Sequence, residues 1–162
     1  MIFHIFGGQL SGKTTVIKKL DSKQIASWDV LVDFYHKHHI ITNKTIDWTL
    51  FDKHRKFLAE ELKQFIEDNK DKHIIIESSG RNKLINKTIK EIGDIIPIYM
   101  GVPTKEETIE RIVHRPDVDK KQAIRFNLST MFKFSTYSNV FPSIMTIDEA
   151  YEFIINKMGE EQ

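Results

Sequence analysis

The 162-residue chain contains no cysteine, which excludes a disulfide framework and any thiolate metal centre. Proline and glycine are sparse, at 4 and 7 residues. No Pro/Gly/Ser-rich linker, internal repeat or low-complexity tract interrupts the sequence, so one domain over residues 1–162 is expected. No charge of one sign dominates: 24 Lys plus Arg stand against 23 Asp plus Glu. That balance argues against a strongly basic nucleic-acid-binding surface and leaves room only for a local groove. No run approaches the ~18 apolar residues that a membrane span needs. The opening Met1-Ile2-Phe3-His4-Ile5-Phe6 lacks the basic segment of a signal peptide, from which a soluble, cytoplasmic protein is expected. What is present is an ordinary globular composition, 40% hydrophobic and 29% charged, enough for one sizeable core.

Residues Gly7 to Thr14 read GGQLSGKT, which fits G-x-x-x-x-G-K-[ST] at every fixed position. They follow the apolar run Ile2–Phe6 and precede Val16, Ile17 and Leu20 at helical spacing. The phosphates of a nucleoside triphosphate need many donors from a small space. Gly7, Gly8 and Gly12 let backbone N–H groups converge where a Cβ would obstruct. The expected ATP-binding segment is therefore Gly7, Gly8, Gln9, Leu10, Ser11, Gly12, Lys13, Thr14 and Thr15. Lys13 supplies a point charge at the β- and γ-phosphates, and Thr14 a hydroxyl for Mg2+. The helix beginning near Lys13 turns its positive end toward the same phosphates.

The remaining chain alternates strand-like apolar runs with helical periodicity, which predicts α/β architecture with a parallel sheet covered on both faces. Strands are expected over 2–6, 25–32, 73–77, 95–100 and 143–147. Helices are expected over 49–68, carried by Phe51, Leu58, Leu62, Phe65 and Ile66, and over 84–92 with Gly93 as a left-handed cap. Further helices should follow the capping box Thr104/Glu107 and the matching pair Asp119/Gln122, and a closing one should cover 148–158. Pro97 removes a ladder donor from what would be an interior strand, so a local irregularity is expected there. His114-Arg115-Pro116-Asp117-Val118 forms a charged break between two helices.

Ligands of open α/β sheets sit beyond the carboxyl ends of the strands, so residues following each strand are the candidates. Asp33, ending the second strand, could take the proton from an acceptor hydroxyl or orient it; it could equally cap a helix. Glu77, delivered by Ile74, Ile75 and Ile76, would hold magnesium-bound water beside Thr14, or cap the next helix. Arg81 offers a guanidinium fork to an acceptor phosphate, unless it is a surface arginine. Arg111, Arg115 and Arg125 flank the charged break, where mobile arginines could close over a transferring phosphoryl group. Glu106, Glu107 and Glu110 are near enough to pair with them instead. Phe34, Tyr35, Trp48 and Phe51 fall between the second strand and the long helix, as walls of an acceptor pocket or as core. His36, His38 and His39 lack the i, i+4 spacing and the Cys or paired acids of a metal site.

Together these residues resemble the small P-loop kinases of the adenylate-kinase and thymidylate-kinase type, with their nucleoside-, polynucleotide- and antibiotic-phosphorylating relatives. The resemblance covers nearly the whole chain through GGQLSGKTT at 7–15, Asp33, IIIESSGR at 74–81 and IIPIYMGVPTKEETIERIVHR at 95–115. It implies a three-layer fold whose parallel sheet has the order 2-3-1-4-5, with the phosphate loop after the central strand. It also implies an acceptor-binding segment at about 34–56, a lid at about 111–125 bearing Arg111 and Arg115, and ATP with Mg2+ as cofactors. Adenylate kinases carry Asp-Gly-x-Pro-Arg after the third strand and thymidylate kinases Asp-Arg-Tyr; here Glu77-Ser78-Ser79-Gly80-Arg81 stands instead. An Asp after the second strand is similar to relatives that phosphorylate a hydroxyl. The implied function is an ATP-dependent kinase acting on a hydroxyl of a nucleoside or nucleic acid, like polynucleotide and modified-base DNA kinases. The alternatives are a nucleoside monophosphate kinase and a nucleotide-dependent regulatory ATPase. A GTPase switch is disfavoured, because Asn43-Lys44-Thr45-Ile46 lacks the Asp of the guanine-reading Asn-Lys-x-Asp motif.

Overall fold

The computed structural model describes residues 1–42, 45–137 and 141–160; Asn43 and Lys44 of the expected acceptor segment lie outside them. Strand β1 (Ile2–Phe6) runs into the glycine-rich loop, and α1 (Lys13–Lys19) leaves it. β2 (Ile25–Asp29) passes into a π-helical turn over Val30–His36. A short antiparallel pair, β3 (Ile41–Thr42) and β4 (Thr45–Ile46), then leads to α2 (Trp48–His54) and α3 (Leu58–Asp68). After them come β5 (His73–Ser78), α4 (Lys83–Glu91), β6 (Ile95–Tyr99), α5 (Lys105–Ile112), α6 (Lys120–Ser135) and α7 (Ile147–Gly159).

The main sheet is parallel in the order β2-β5-β1-β6. The interior strand β5 is apolar on both faces, as a strand covered on both sides must be. Ile75 joins Phe3, Ile5, Val16, Ile98 and Ile154 on one face. Ile74 and Ile76 join Trp28, Phe34, Leu58, Leu62, Ile85 and Ile89 on the other. Burying each such isoleucine contributes about 1.5–3 kcal/mol, and together they fix the register that sets Ile5 beside Glu77 and Phe6 beside Ser78. Among the described residues no helix is long and apolar enough to cross a membrane.

Several expected boundaries move. The second strand stops at Asp29, not Val32, because Asp29 caps a π-helical turn by accepting from Leu31 N–H. The helix expected over 49–68 begins at Trp48 and is divided by a 3-10 turn over Arg55–Phe57. Gly93 does not adopt a left-handed conformation, and Ile92 ends α4 in the right-handed region. The fifth strand shrinks to one parallel bridge between Tyr99 and Ile144, with Met145 N–H donating to Tyr99 O at 2.9 Å. Thr146 and Glu149 explain this: they form a capping box that commits residues from Ile147 onward to α7. β6 is consequently almost an edge strand, which tolerates the missing donor of Pro97 without breaking register.

His4 is buried on the sheet, with Nε2 2.7 Å from Ser78 Oγ. Burial, reinforced by the Lys13 charge, pushes its pKa down to about 4. The unfolded chain, whose histidine titrates near 6.5, therefore binds a proton between pH 6.5 and 4 that the fold does not. This contribution to stability is intact above pH 6.5 and is lost toward pH 4, on the order of 3 kcal/mol. Urea unfolding of wild type and His4→Leu between pH 7.5 and 4.5 checks it. Stability of the variant should fall less steeply; equal slopes would contradict a neutral buried imidazole.

Candidate active site

The carboxyl ends of β1, β2 and β5 open onto one cleft of about 1720 Å³. A site for one small ligand commonly measures about 300–1,000 Å³, so the cleft has room for two. Its lining includes Gln9 through Thr15 of the loop, Asp29, Tyr35, Trp48, Glu77, Arg81, Arg111 and Arg115.

Two glycines of the loop are held by close approach. Gly12 has φ 101, and a Cβ there would lie 2.6 Å from Ile147 Cγ1. A Cβ on Gly8 would lie 2.6 Å from Asn127 Oδ1. Asn127 projects from α6 and is 1% exposed. Its Oδ1 accepts from Gln9 N–H at 2.8 Å, and its Nδ2 donates to Gln9 O and to Thr108 Oγ1, both at 3.0 Å. Thr108, also buried, donates its own hydroxyl to Thr104 O at 2.7 Å. Sequence reasoning missed Asn127. Its one signal is position: Ala123, Asn127 and Thr130 share the inward stripe of α6, where a buried amide must find partners.

Lys13 Nζ donates to Gly7 O at 2.7 Å and to Gly8 O at 2.8 Å. Burial lowers its pKa to about 8 against the opposing pull of Glu77 and Asp29. Thr14 Oγ1 donates to Glu77 Oε1 at 3.3 Å. Burial, and then the neighbouring Asp29 charge, raises Glu77 above the usual carboxylate range, while Lys13 and Thr14 oppose the rise. Asp29 and Glu77 are register partners on β2 and β5, so the two acids stand side by side. Asp29 is raised as well, chiefly by burial.

Asp33 occupies a different position from the one expected. It lies four residues past the strand end, inside the π-helical turn, and its Oδ2 accepts the backbone N–H of Asp29 at 2.7 Å. Asp29, not Asp33, lines the cleft. Tyr35, Trp48 and Arg81 do line it, with Trp48 55% exposed. Phe34 and Phe51 are instead core residues beneath that wall. Burial pushes the Tyr35 hydroxyl up to about 12. Arg111 Nη1 donates to the loop carbonyl of Leu10 at 2.8 Å, and its Nη2 meets Glu107 Oε2 at 3.3 Å. Arg115 pairs with Asp117 through Nε and Nη2 at 3.2 and 3.3 Å. Arg125 is exposed and does not line the cleft. Away from the site, His38 Nε2 lies 2.6 Å from Glu61 Oε1, and its ring stacks on His54.

No family model and no curated protein matches the sequence. Among solved structures, deoxyadenosine kinase from M. mycoides with bound dATP is 17% identical, over 98% of this chain and 100% of that chain, at a TM-score of 0.50. The same enzyme with dCMP and a flexible dCDP gives 17% identity over 99% and 100% of the two chains at 0.48. Shikimate kinase from Aquifex aeolicus vf5 gives 16% over 99% and 98% at 0.43. The dATP-bound structure supports a likeness in fold: this chain has the α/β fold of a small P-loop kinase.

Proposed function

We propose that this protein is an ATP-dependent phosphotransferase that moves the γ-phosphoryl group of ATP onto a hydroxyl of a nucleoside or nucleic acid, in the cytoplasm. The observation that carries the reading is the pairing of Asp29 with Glu77 at one level of adjacent strands, with Lys13 feeling both charges. A donor site needs one acid for the metal ion; a second acid on β2, the strand that runs into the turn carrying Tyr35, serves an acceptor. The breadth of the cleft supports the same division.

The loop N–H groups and Lys13 would bind the β- and γ-phosphates. Thr14 and Glu77 present hard oxygen ligands of the kind Mg2+ accepts when phosphates complete its shell, so they would hold the ion. When bound, that ion neutralises phosphate charge. Asp29, whose carboxylate is made more basic chiefly by burial, would take the acceptor hydroxyl proton as the new O–P bond forms and the bond from the γ-phosphorus to the bridging oxygen of ADP breaks. Asp33 would act through Asp29, by fixing its backbone. Arg111 and Arg115, already at the rim, would stabilise charge spreading over the transferring group.

Lys13→Ala should lower kcat by ~10²-fold or more, because it removes charge from the developing anion. Phosphates favour the protonated ammonium, so its pKa should rise from about 8 when nucleotide binds. Affinity should then fall as pH climbs above 8, and calorimetry at pH 9 in buffers of different ionisation enthalpy should record proton uptake. No uptake there would mean that Lys13 does not meet the phosphates.

Asp29→Asn should leave ATP affinity nearly intact and cut kcat by ~10²- to 10⁴-fold. Asp33→Asn keeps an oxygen for the Asp29 N–H and should cost less than ~10-fold. A larger loss at Asp33 than at Asp29 would return the base role to Asp33.

A further inference from the structure

We infer that Arg81, Lys133 and Lys83 form a subsite for a phosphate carried by the acceptor, separate from the hydroxyl that is phosphorylated. This rests on the phosphotransferase reading above. The Arg81 guanidinium lies 4.6 Å from the centre of the Phe126 ring, and its Nη2 donates to Ser129 Oγ at 3.0 Å. Tyr137 donates its hydroxyl to Arg81 O, and Lys83 Nζ sits 4.9 Å above the Tyr137 ring. Phe126, Ser129 and Lys133 follow one another at i, i+3 and i+7 on α6, so they share a helix face. Arg81, Phe126 and Lys133 all line the cleft.

The charge pattern separates this wall from the rest of the site. Lys13 has Glu77 and Asp29 as neighbouring charges, Arg111 has Glu107, and Arg115 has Asp117. Among the described residues, no carboxylate stands within ion-pair distance of Arg81, Lys83 or Lys133. The cations act on each other instead: burial lowers the Lys133 pKa first, and the charges of Arg81 and Lys83 lower it further. Burial also lowers Arg81. Clustered like charges without a counter-charge oppose folding, and an anion bound among them removes that cost.

The geometry suits phosphate. Of the five N–H donors of a guanidinium, Arg81 uses one on Ser129, and the Phe126 ring packs against the guanidinium. Nearby on the cleft lining, Asn86 donates Nδ2 to Gly80 O at 2.8 Å. An acceptor bearing both hydroxyls and phosphate, either a mononucleotide or the end of an oligonucleotide, satisfies these groups; an uncharged nucleoside leaves the cations unpaired.

The test fills the phosphate loop with a non-hydrolysable ATP analogue and Mg2+, then measures binding by calorimetry for each of the four bases. The probes are the 2′-deoxynucleoside, its 3′-monophosphate and a dinucleotide beginning with it. The phosphate should improve affinity by ~10-fold or more for at least one base. Arg81→Gln and Lys133→Gln should each cut that gain by at least ~3-fold, with ATP-analogue binding marking variants that are folded. Among the described residues the Lys133 ammonium makes no hydrogen bond, so its variant serves if Arg81→Gln does not fold. A dinucleotide that binds at least as tightly as the monophosphate supports the subsite with an oligonucleotide acceptor; the reverse order supports it with a mononucleotide. No gain for any base, or a gain retained in both variants, overturns the subsite. A gain without any phosphoryl transfer from ATP would refute the kinase reading and leave the subsite standing.

Discussion

The site is arranged around a single partly buried ammonium. Lys13 carries its charge into a place where water is scarce, a situation that costs several kcal/mol unless the charge finds partners. Two loop carbonyls meet it directly, and Glu77 and Asp29 supply opposite charge from the neighbouring strands. The same cation helps to keep His4 neutral on the central strand. Strand order matters because of it: β5 and β2 must stand beside β1 in that sequence for their terminal acids to reach one lysine. The register held by the isoleucines of β5 is thus an electrostatic requirement as well as a packing one.

Around that charge the cleft divides by its counter-ions. On the loop side Lys13, Arg111 and Arg115 each have an acid nearby. On the wall built by Arg81 and α6 the cations lie against aromatic rings and hydroxyls. Rings shield a cation without neutralising it. One side therefore suits a ligand that arrives with its own cation, and the other a ligand that arrives as an anion.

The loop and the alternation of strands and helices were legible in the sequence, because GGQLSGKT has few other structural contexts and β5 reads as an unbroken apolar run. Strand order came through the family resemblance, and its first four places agree with the structure. The position of the second acid was not legible. Val30, Leu31 and Val32 continue the strand pattern after Asp29, and nothing in their spacing announces a turn with i to i+5 hydrogen bonds, such as Lys37 N–H to Val32 O. Trp48 and Tyr35 were separable from Phe34 and Phe51 only once the lining of the cleft was known. Asn127 was invisible for another reason: its role is contact with a segment 118 residues away, and local pattern carries no such information. The capping box at Thr146 and Glu149 was readable and would have shortened the fifth strand.

Helix α6 touches both halves of the cleft with neighbouring residues. Asn127 clasps the backbone of Gln9, while Phe126 and Ser129 support Arg81. Because a helix moves as a stiff rod, a tilt or slide of α6 cannot reposition one set of contacts without disturbing the other. The absence of a Cβ at Gly8 lets the amide of Asn127 sit so close that little slack remains in this linkage. Positions 8 and 127 accordingly form one steric unit: enlarging the first requires shrinking or withdrawing the second, so in descendants of this sequence the two should change together or not at all.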